Sequence, residues 1–115
     1  MIICEKIKNN ITVISIQGTI NSNTVPDLKN FKSASAPESH IVINFSDVDF
    51  LDSSAIGAIN GITREKREHG GDVTLACMNK KVRKVFDVTH VYRLFDIYDD
   101  VDAAIENAEK KQTRL

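Results

Sequence analysis

The stretch Phe50-Leu51-Asp52-Ser53-Ser54-Ala55-Ile56-Gly57 lies between two sequence patterns of different period. The apolar run 41–45 comes before it and predicts a strand buried on both faces. Isoleucines at 56, 59 and 62 follow at helical spacing. Residues 46–51 are predicted to be a short connection that returns Phe50 and Leu51 to the core. The stretch is therefore predicted to join a central strand to an amphipathic helix.

The junction contains three residues of the types that begin helices: Asp52, Ser53 and Ser54. Their side-chain oxygens can accept hydrogen bonds from the free amides of a first helical turn. A serine hydroxyl at this place lies near unpaired N–H groups and the positive end of the helix dipole. That arrangement suits a phosphate group as well as an ordinary cap. From the residues alone, Ser53 is either a structural cap or a modification site.

The remaining patterns alternate between strands and helices. Further strands are predicted at 2–8, 11–17, 72–77 and 94–98, and the central strand at 40–45. Helices are predicted at 24–33, at 53–69, from Asn79 through Val82, Val85 and Phe86, and after Asp99-Asp100. The order ββαβαβαβα predicts an α/β fold with a mixed, mostly parallel sheet, an N-terminal hairpin and about four helices. One domain is expected over 1–110, and 111–115 is expected to be a frayed tail.

Local residue choices predict where these elements begin and end. Asn9-Asn10 is predicted to form a tight hairpin turn, because asparagine tolerates positive φ. Gly18 is expected to end the second strand, and 18–24 to be a polar loop. Asn23 or Thr24 is expected to cap the first helix. Gly70-Gly71 is predicted to end the second helix, as glycine does where a chain turns left-handed.

Composition excludes several classes of function. The chain of 115 residues has a net charge of −1 and no basic stripe, so nucleic-acid binding has little support. No apolar segment approaches the roughly 20 residues that a membrane span requires. Cys4 and Cys77 lie in apolar stretches and are expected to be small buried residues, which fits a reducing cytoplasm. Nothing in the sequence requires more than a monomer.

Catalytic and metal-binding patterns are also missing. The sequence has no glycine-rich phosphate loop, and Ser53 is not in a nucleophile elbow. His40, His69 and His90 lack the spacing of metal ligands and are expected at the surface or at strand edges. The protein is therefore predicted not to be an enzyme and to carry no metal or cofactor.

With these elements in place, the chain resembles a STAS domain of the bacterial anti-sigma factor antagonist family over nearly its whole length. The segment 49–57, Asp-Phe-Leu-Asp-Ser-Ser-Ala-Ile-Gly, is similar to the family signature of an acidic residue, serine, serine or threonine, a small residue, an aliphatic residue and glycine. Weaker similarities occur in the expected order at 18–21, 69–71 and 82–87.

The resemblance implies that Ser53 is the phosphoacceptor, with Ser54 the lesser candidate. It implies that the unphosphorylated protein binds an anti-sigma factor that is also a serine kinase of the histidine-kinase-like ATPase fold. Phosphorylation releases the complex, and a metal-dependent serine phosphatase restores binding. The residues expected to contact the partner are Asn21, Ser22, Asn23, Thr24, Asp49, Asp52, Ser54 and Ala55. The alternative is a STAS scaffold that does not switch and belongs to a larger regulatory assembly.

Two positions depart from the family pattern. Asn21 stands where the family often has aspartate, and this removes a negative charge if its loop approaches Ser53. Ala55 stands where the family usually has glycine, and alanine is the better helix former. The second change is expected to stiffen the helix start and to add a methyl group beside the acceptor.

Overall fold

The computed structural model describes residues 1–112 as a single α/β domain built on one five-stranded sheet. The strands lie side by side in chain order: β1 Ile2–Lys8, β2 Ile11–Ile20, β3 Ile41–Leu51, β4 Val73–Ala76 and β5 Asp96–Tyr98. Only the pairing of β1 with β2 is antiparallel, and the other pairs are parallel. The predicted mixed sheet with an opening hairpin is confirmed.

Four helices connect or follow the strands in the predicted order. They are α1 Val25–Asn30, α2 Ser53–Glu68, α3 Lys80–Val88 and α4 Val101–Gln112, with a 3₁₀ turn at Val91–Leu94 before β5. Within residues 1–112, no helix combines the length and the apolar character needed to cross a membrane.

Helices cover both faces of the sheet. Since successive residues of a strand point to opposite sides, neighbouring residues of one strand belong to different cores. Ile43 of β3 belongs to the larger core, in which α1, α2 and α3 pack on one face. Its neighbour Val42 belongs to the smaller core on the other face, where Ala104, Ile105 and Ala108 of α4 cover the sheet. The near-continuous apolar run of β3 is therefore explained by burial on both faces.

The predicted turn between β1 and β2 and the predicted end of α2 are confirmed. Asn9 and Asn10 have φ angles of 53° and 64°, as the two central residues of a type I′ hairpin turn require. Gly70 has a φ of 87° and donates its N–H to Arg67 O at 3.2 Å, while Gly71 N–H donates to Lys66 O at 2.8 Å. These two bonds form a Schellman end to α2.

Strands β2 and β3 are longer than predicted. Gly18 does not end β2, and residues 46–51 are strand rather than connection. The pairing register explains why the sequence pattern did not predict this extension. Ser15 pairs with Asn44 and Gln17 pairs with Asp47, so β3 has one residue more than β2 between these two pairs. A second extra residue follows, because Gly18 and Thr19 pair with Val48 and Phe50. Bulges of this kind break the alternation of buried and exposed residues.

Several smaller predictions are wrong. Helix α1 ends at Asn30 instead of reaching about Ser33, because Phe31 is already extended. Leu94 belongs to the 3₁₀ turn and not to β5. Cys4 is exposed, since it lies on the outward side of the edge strand β1, and Cys77 is only partly buried.

The end of the chain also differs from the prediction. Lys111 and Gln112 are the last residues of α4 rather than a frayed tail. The Lys111 ammonium donates to Asp72 Oδ2 at 2.9 Å, and Gln112 Oε1 accepts from the backbone N–H of His40 at 3.2 Å. Residues 113–115 lie outside the described residues. His40, expected at the surface, is buried.

Asp72 holds three elements together at the start of β4. It accepts hydrogen bonds from Arg67 at the end of α2 and from Lys111 at the end of α4, each at 2.9 Å. Burial by itself would raise the pKa of Asp72, but the bonds from Lys111, the Val73 amide and Arg67 hold it below its usual value. Asp72 is thus an ionised anchor for both helix ends.

Gly71 is predicted to be intolerant of a side chain. A Cβ atom there would lie 2.5 Å from Ser39 O and 3.0 Å from Glu38 O, which are backbone atoms that cannot move away easily. We expect Gly71→Ala to lower the free energy of unfolding by about 2 kcal/mol. The matched control is Gly61→Ala in α2, where no atom lies within 4 Å of the added carbon. Urea unfolding should show Gly61→Ala to be neutral or stabilising by up to about 1 kcal/mol, and equal losses for both variants would contradict the account.

His40 is predicted to make the protein less stable in mild acid. Burial lowers its pKa, and Lys111 and Lys66 add to this, although Asp72 opposes it. Because the folded state binds this proton less well than the unfolded state, stability is full at neutral pH and falls as pH drops below about 6.5. We expect His40→Leu to lose less stability than the wild type between pH 7 and pH 5 in thermal unfolding. Parallel pH profiles for the two proteins would contradict this assignment.

Candidate functional site

Asp52 begins α2 and occupies the anion-binding position at its N-terminus. Its backbone is extended, with φ −118° and ψ −172°. Its Oδ1 atom accepts from the amides of Ser54 at 3.0 Å and Ala55 at 3.3 Å. A hydrogen bond from the Ser54 hydroxyl lowers the pKa of Asp52 most; burial opposes it, and the amides of Ala55 and Ser54 lower the pKa further. The carboxylate is therefore ionised and already neutralises the helix end.

The geometry separates the two serines that follow. The hydroxyl of Ser54 donates to Asp52 Oδ1, so it is engaged in the cap. Ser53, the first residue of α2, is exposed, and its hydroxyl has no hydrogen-bond partner among residues 1–112. Ser53 is thus the serine whose oxygen is free to react or to contact another molecule.

The structure changes the expected surroundings of a phosphate at the start of α2. A phosphate at this place was expected to face the free amides of the helix start. The amides of Ser54 and Ala55 are instead bonded to Asp52. A group added to Ser53 would therefore lie outside the cap, next to a carboxylate, rather than in the amide pocket.

The loop after β2 lies directly beside this junction. The backbone N–H of Asp52 donates to Ile20 O at 3.2 Å, which brings the two segments together. Asn21 Oδ1 accepts from the amides of Asn23 at 2.9 Å and Thr24 at 3.2 Å, and Asn21 N–H donates to Thr24 Oγ1 at 2.9 Å. This reciprocal pattern is that of a capping box. Thr24, one of the two predicted caps, is the N-cap residue of α1, but its side chain makes no capping hydrogen bond. The side-chain cap of the turn that leads into α1 is Asn21.

The predicted partner contacts differ in how accessible they are. Ser22, Asn23 and Asp49 are exposed. Asn21, Thr24, Asp52 and Ser54 are half-buried and keep part of their surface open. Ala55 is fully buried in the larger core, so the expectation that its side chain contacts a partner is wrong. Its methyl group, expected beside the acceptor serine, points into the core instead, because the third position of α2 faces the sheet.

Phe50 is the surface residue that the sequence did not indicate. It was expected to return to the core with Leu51, but its side chain is 48% exposed while Leu51 is fully buried. The reason is the second bulge, which places Phe50 opposite Thr19 and turns it outward. An aromatic residue next to a leucine gives no sign of this in the sequence, since only the register decides which of the two faces inward.

The junction presents polar groups that can bind another molecule. Residues 1–112 contain no group of three or more His, Cys, Asp or Glu side chains that could hold a metal ion. No histidine or other base bonds to Ser53 within the same residues. What the junction presents is a free hydroxyl, a carboxylate and a polar loop on one surface.

Comparison with protein families gives a match to the STAS domain over residues 5–104. A protein of Thermotoga maritima, provisionally named an anti-sigma factor antagonist, is 34% identical over 71 residues, which are 62% of this chain and 63% of that protein. The anti-sigma F factor antagonist of Paenibacillus polymyxa is 29% identical over 70 residues, 61% of this chain and 60% of its own. The chain thus matches about three fifths of the length of these relatives.

Solved structures show the same fold. A crystal structure of a protein from Thermotoga maritima, provisionally named an anti-sigma factor antagonist, has a TM-score of 0.82 and 25% identity, covering 93% of this chain and 94% of its own. An anti-sigma factor antagonist from Mycobacterium paratuberculosis also reaches 0.82, at 20% identity and with 94% and 93% covered. The anti-sigma factor antagonist SpoIIAA in its unphosphorylated form reaches 0.75 at 23% identity, with 95% and 97% covered.

Removal of the Asp52 cap is predicted to weaken α2. Asp52→Ala deletes the acceptor of two amides and of the Ser54 hydroxyl, so we expect a loss of about 1–2 kcal/mol in unfolding free energy. Asp52→Asn keeps a capping oxygen and should lose much less. Asp49→Ala is the matched control, because Asp49 is exposed and caps no helix. An Asp52→Ala variant as stable as Asp49→Ala in urea unfolding would show that the cap contributes nothing.

Proposed function

The chain belongs to the STAS domain family, and we propose that it is an anti-sigma factor antagonist whose binding is switched by phosphorylation of Ser53. The observation that carries this proposal is the exposed hydroxyl of Ser53, which has no hydrogen-bond partner within residues 1–112. The hydroxyl of the neighbouring Ser54, by contrast, is bonded to Asp52. The names of the relatives from Thermotoga maritima and Paenibacillus polymyxa support the same role.

The partner in this proposal is an anti-sigma factor that is also a serine kinase of the histidine-kinase-like ATPase fold. The unphosphorylated protein binds it, and a metal-dependent serine phosphatase removes the phosphate and restores binding. Such exchange takes place in the bacterial cytoplasm, where we place this protein as a monomer. The protein is the substrate in both reactions and contributes no catalytic group.

The proposed contact surface consists of the open parts of the junction and of its neighbouring loop. It contains Ser53 together with Asn21, Ser22, Asn23, Thr24, Asp49, Asp52 and Ser54. The hydrogen bond between Asp52 N–H and Ile20 O supports this grouping, because it holds the loop and the helix start against each other.

The charge of a phosphate explains how binding would be switched without refolding. A phosphoserine carries about −1.5 to −2 charges at pH 7. The cap amides are already bonded to Asp52, so the new charge stays at the surface beside a carboxylate. A partner that covers Ser53 would have to desolvate both charges. A penalty of about 2–3 kcal/mol weakens binding roughly 30–150-fold, which is sufficient for a switch.

Phosphorylation is predicted to require Ser53 and not Ser54. Purified kinases of the stated fold from the source organism are incubated with ATP and Mg²⁺ and with the wild type, Ser53→Ala or Ser54→Ala, and phosphate is located by mass spectrometry. We expect phosphate on Ser53 in the wild type and in Ser54→Ala, and none in Ser53→Ala, since Ser54 has its hydroxyl bonded to Asp52.

A negative charge at position 53 is predicted to weaken binding of the same kinase. Ser53→Asp should bind roughly 30–150-fold more weakly than the wild type, and Ser53→Ala about as tightly. A Ser53→Asp variant with unchanged affinity for the kinase, or phosphate found only on Ser54, would contradict the proposed switch and favour a STAS scaffold that does not switch.

A further inference from the structure

We propose that an apolar groove beside the junction is the docking site for an acidic, amphipathic helix of the anti-sigma factor. The groove is lined by Phe50 at the end of β3 and by Lys81, Lys84, Val85, Val88 and Thr89 along α3, and is called the Phe50 groove below. This inference rests on the proposed function and names the second surface through which the partner is held.

Exposed apolar side chains form the floor of the Phe50 groove. Val88 is 66% exposed and Phe50 is 48% exposed, while Val85 is half-buried between them and the core. On α3, positions 81, 84, 85 and 88 follow the i, i+3, i+4, i+7 spacing of a single helix face. The other face of α3 is satisfied by the burial of Val82 and Phe86. The groove face thus places Val85 and Val88 between the side chains of Lys81 and Lys84, and Val88 is left uncovered by the domain core.

The shape of the groove favours a helix as its occupant. Its walls are side chains, those of α3 and that of Phe50, which lies beyond the last pair of β3 with β4 at Asn44 and Ala76. An extended segment lying across these side chains would leave its own N–H and C=O groups unsatisfied. A helix bonds its backbone internally and offers apolar residues at matching intervals, as helices bound in grooves do.

The charge at the rim favours an acidic occupant. Lys80, Lys81 and Lys84 are exposed, and none of them forms a salt bridge within residues 1–112. Arg83 differs, because it is already paired with Asp87 at 3.3 Å. The stems of Lys81 and Lys84 line the groove while their ammonium groups reach solvent, a placement that suits carboxylates flanking an apolar strip.

The position of the groove makes it continuous with the junction that carries Ser53. Ser53 lies three positions after Phe50, so their Cα atoms lie at most about 11 Å apart. A specific interface covers about 800 Å² on each partner, which corresponds to a patch roughly 30 Å across. A single partner that covers Ser53 is therefore large enough to reach the Phe50 groove as well.

The first test uses the protein alone with a defined probe. The probe is a capped helical peptide of about 18 residues with leucine on one face and glutamate elsewhere, and its twin carries lysine for glutamate. In a ¹⁵N-resolved NMR titration we expect the acidic peptide to shift the amides of Phe50, Val85 and Val88, and the basic twin to leave them unchanged. Shifts elsewhere only, equal shifts with both peptides, or concentration-dependent shifts without peptide, which would indicate a second copy of this chain, would overturn the proposal.

The second test uses the kinase that phosphorylates Ser53. Val88→Asp, and Lys81→Glu combined with Lys84→Glu, should each weaken its binding by about tenfold or more. The matched controls are Ile7→Asp and Lys6→Glu on the edge strand β1, where both residues are exposed, and these should bind like the wild type. Circular dichroism checks that every variant is folded.

The two proposals fail in different ways. If the groove variants bind the kinase as tightly as the controls while Ser53→Asp does not, the docking proposal is wrong and the switch stands. If no kinase modifies Ser53, the switch is wrong, and the peptide titration alone decides whether the Phe50 groove binds acidic helices.

Discussion

The parallel pairing of β2 with the second half of β3 is the constraint on which the functional surface depends. It continues through two bulges until Ile20 lies opposite Leu51, and Asp52 N–H then donates to Ile20 O. This pairing brings the loop after β2 and the start of α2 to the same place. It also turns Phe50 outward while Leu51 stays in the core. One continuous backbone ladder thus positions Ser53, the polar loop and the aromatic side chain of Phe50 relative to each other.

The same junction shows why an anion site and the modification site proposed at Ser53 need not coincide. The N-terminus of α2 has the dipole and the amides that attract a negative charge, but Asp52 supplies that charge from within the chain. Ser53 lies one residue further on, outside the cap. A phosphate on Ser53 would change the charge that a partner meets and leave the bonds of the helix start in place. The proposed switch would therefore change the surface at small cost to the stability of the fold.

Local signals in the sequence predicted most of the framework. The paired asparagines of the hairpin, Gly70-Gly71 after α2 and the Asn79 cap of α3 each act over a few residues, and each appears where it was expected. The order of elements followed from them. The sequence also indicated Ser53 and the loop around Asn21, but it could not distinguish a free serine hydroxyl from an engaged one.

The features that the sequence did not reveal depend on pairing over long distances. The extension of β3 and the exposure of Phe50 depend on register, and bulges remove the alternation that would report them. Ala55 was assigned to the partner surface because it belongs to the motif, whereas the helix geometry places it in the core. His40 was expected outside, and its burial follows from contacts with α4, far along the chain.

The most direct measurement for this account is a high-resolution structure of the protein phosphorylated on Ser53, supported by amide shifts of the cap. The account predicts that Asp52 Oδ1 still accepts from the amides of Ser54 and Ala55, that the phosphate lies outside the cap in solvent, and that the backbone is unchanged. A structure in which the phosphate displaces Asp52 from these amides, or in which the start of α2 is rearranged, would contradict it.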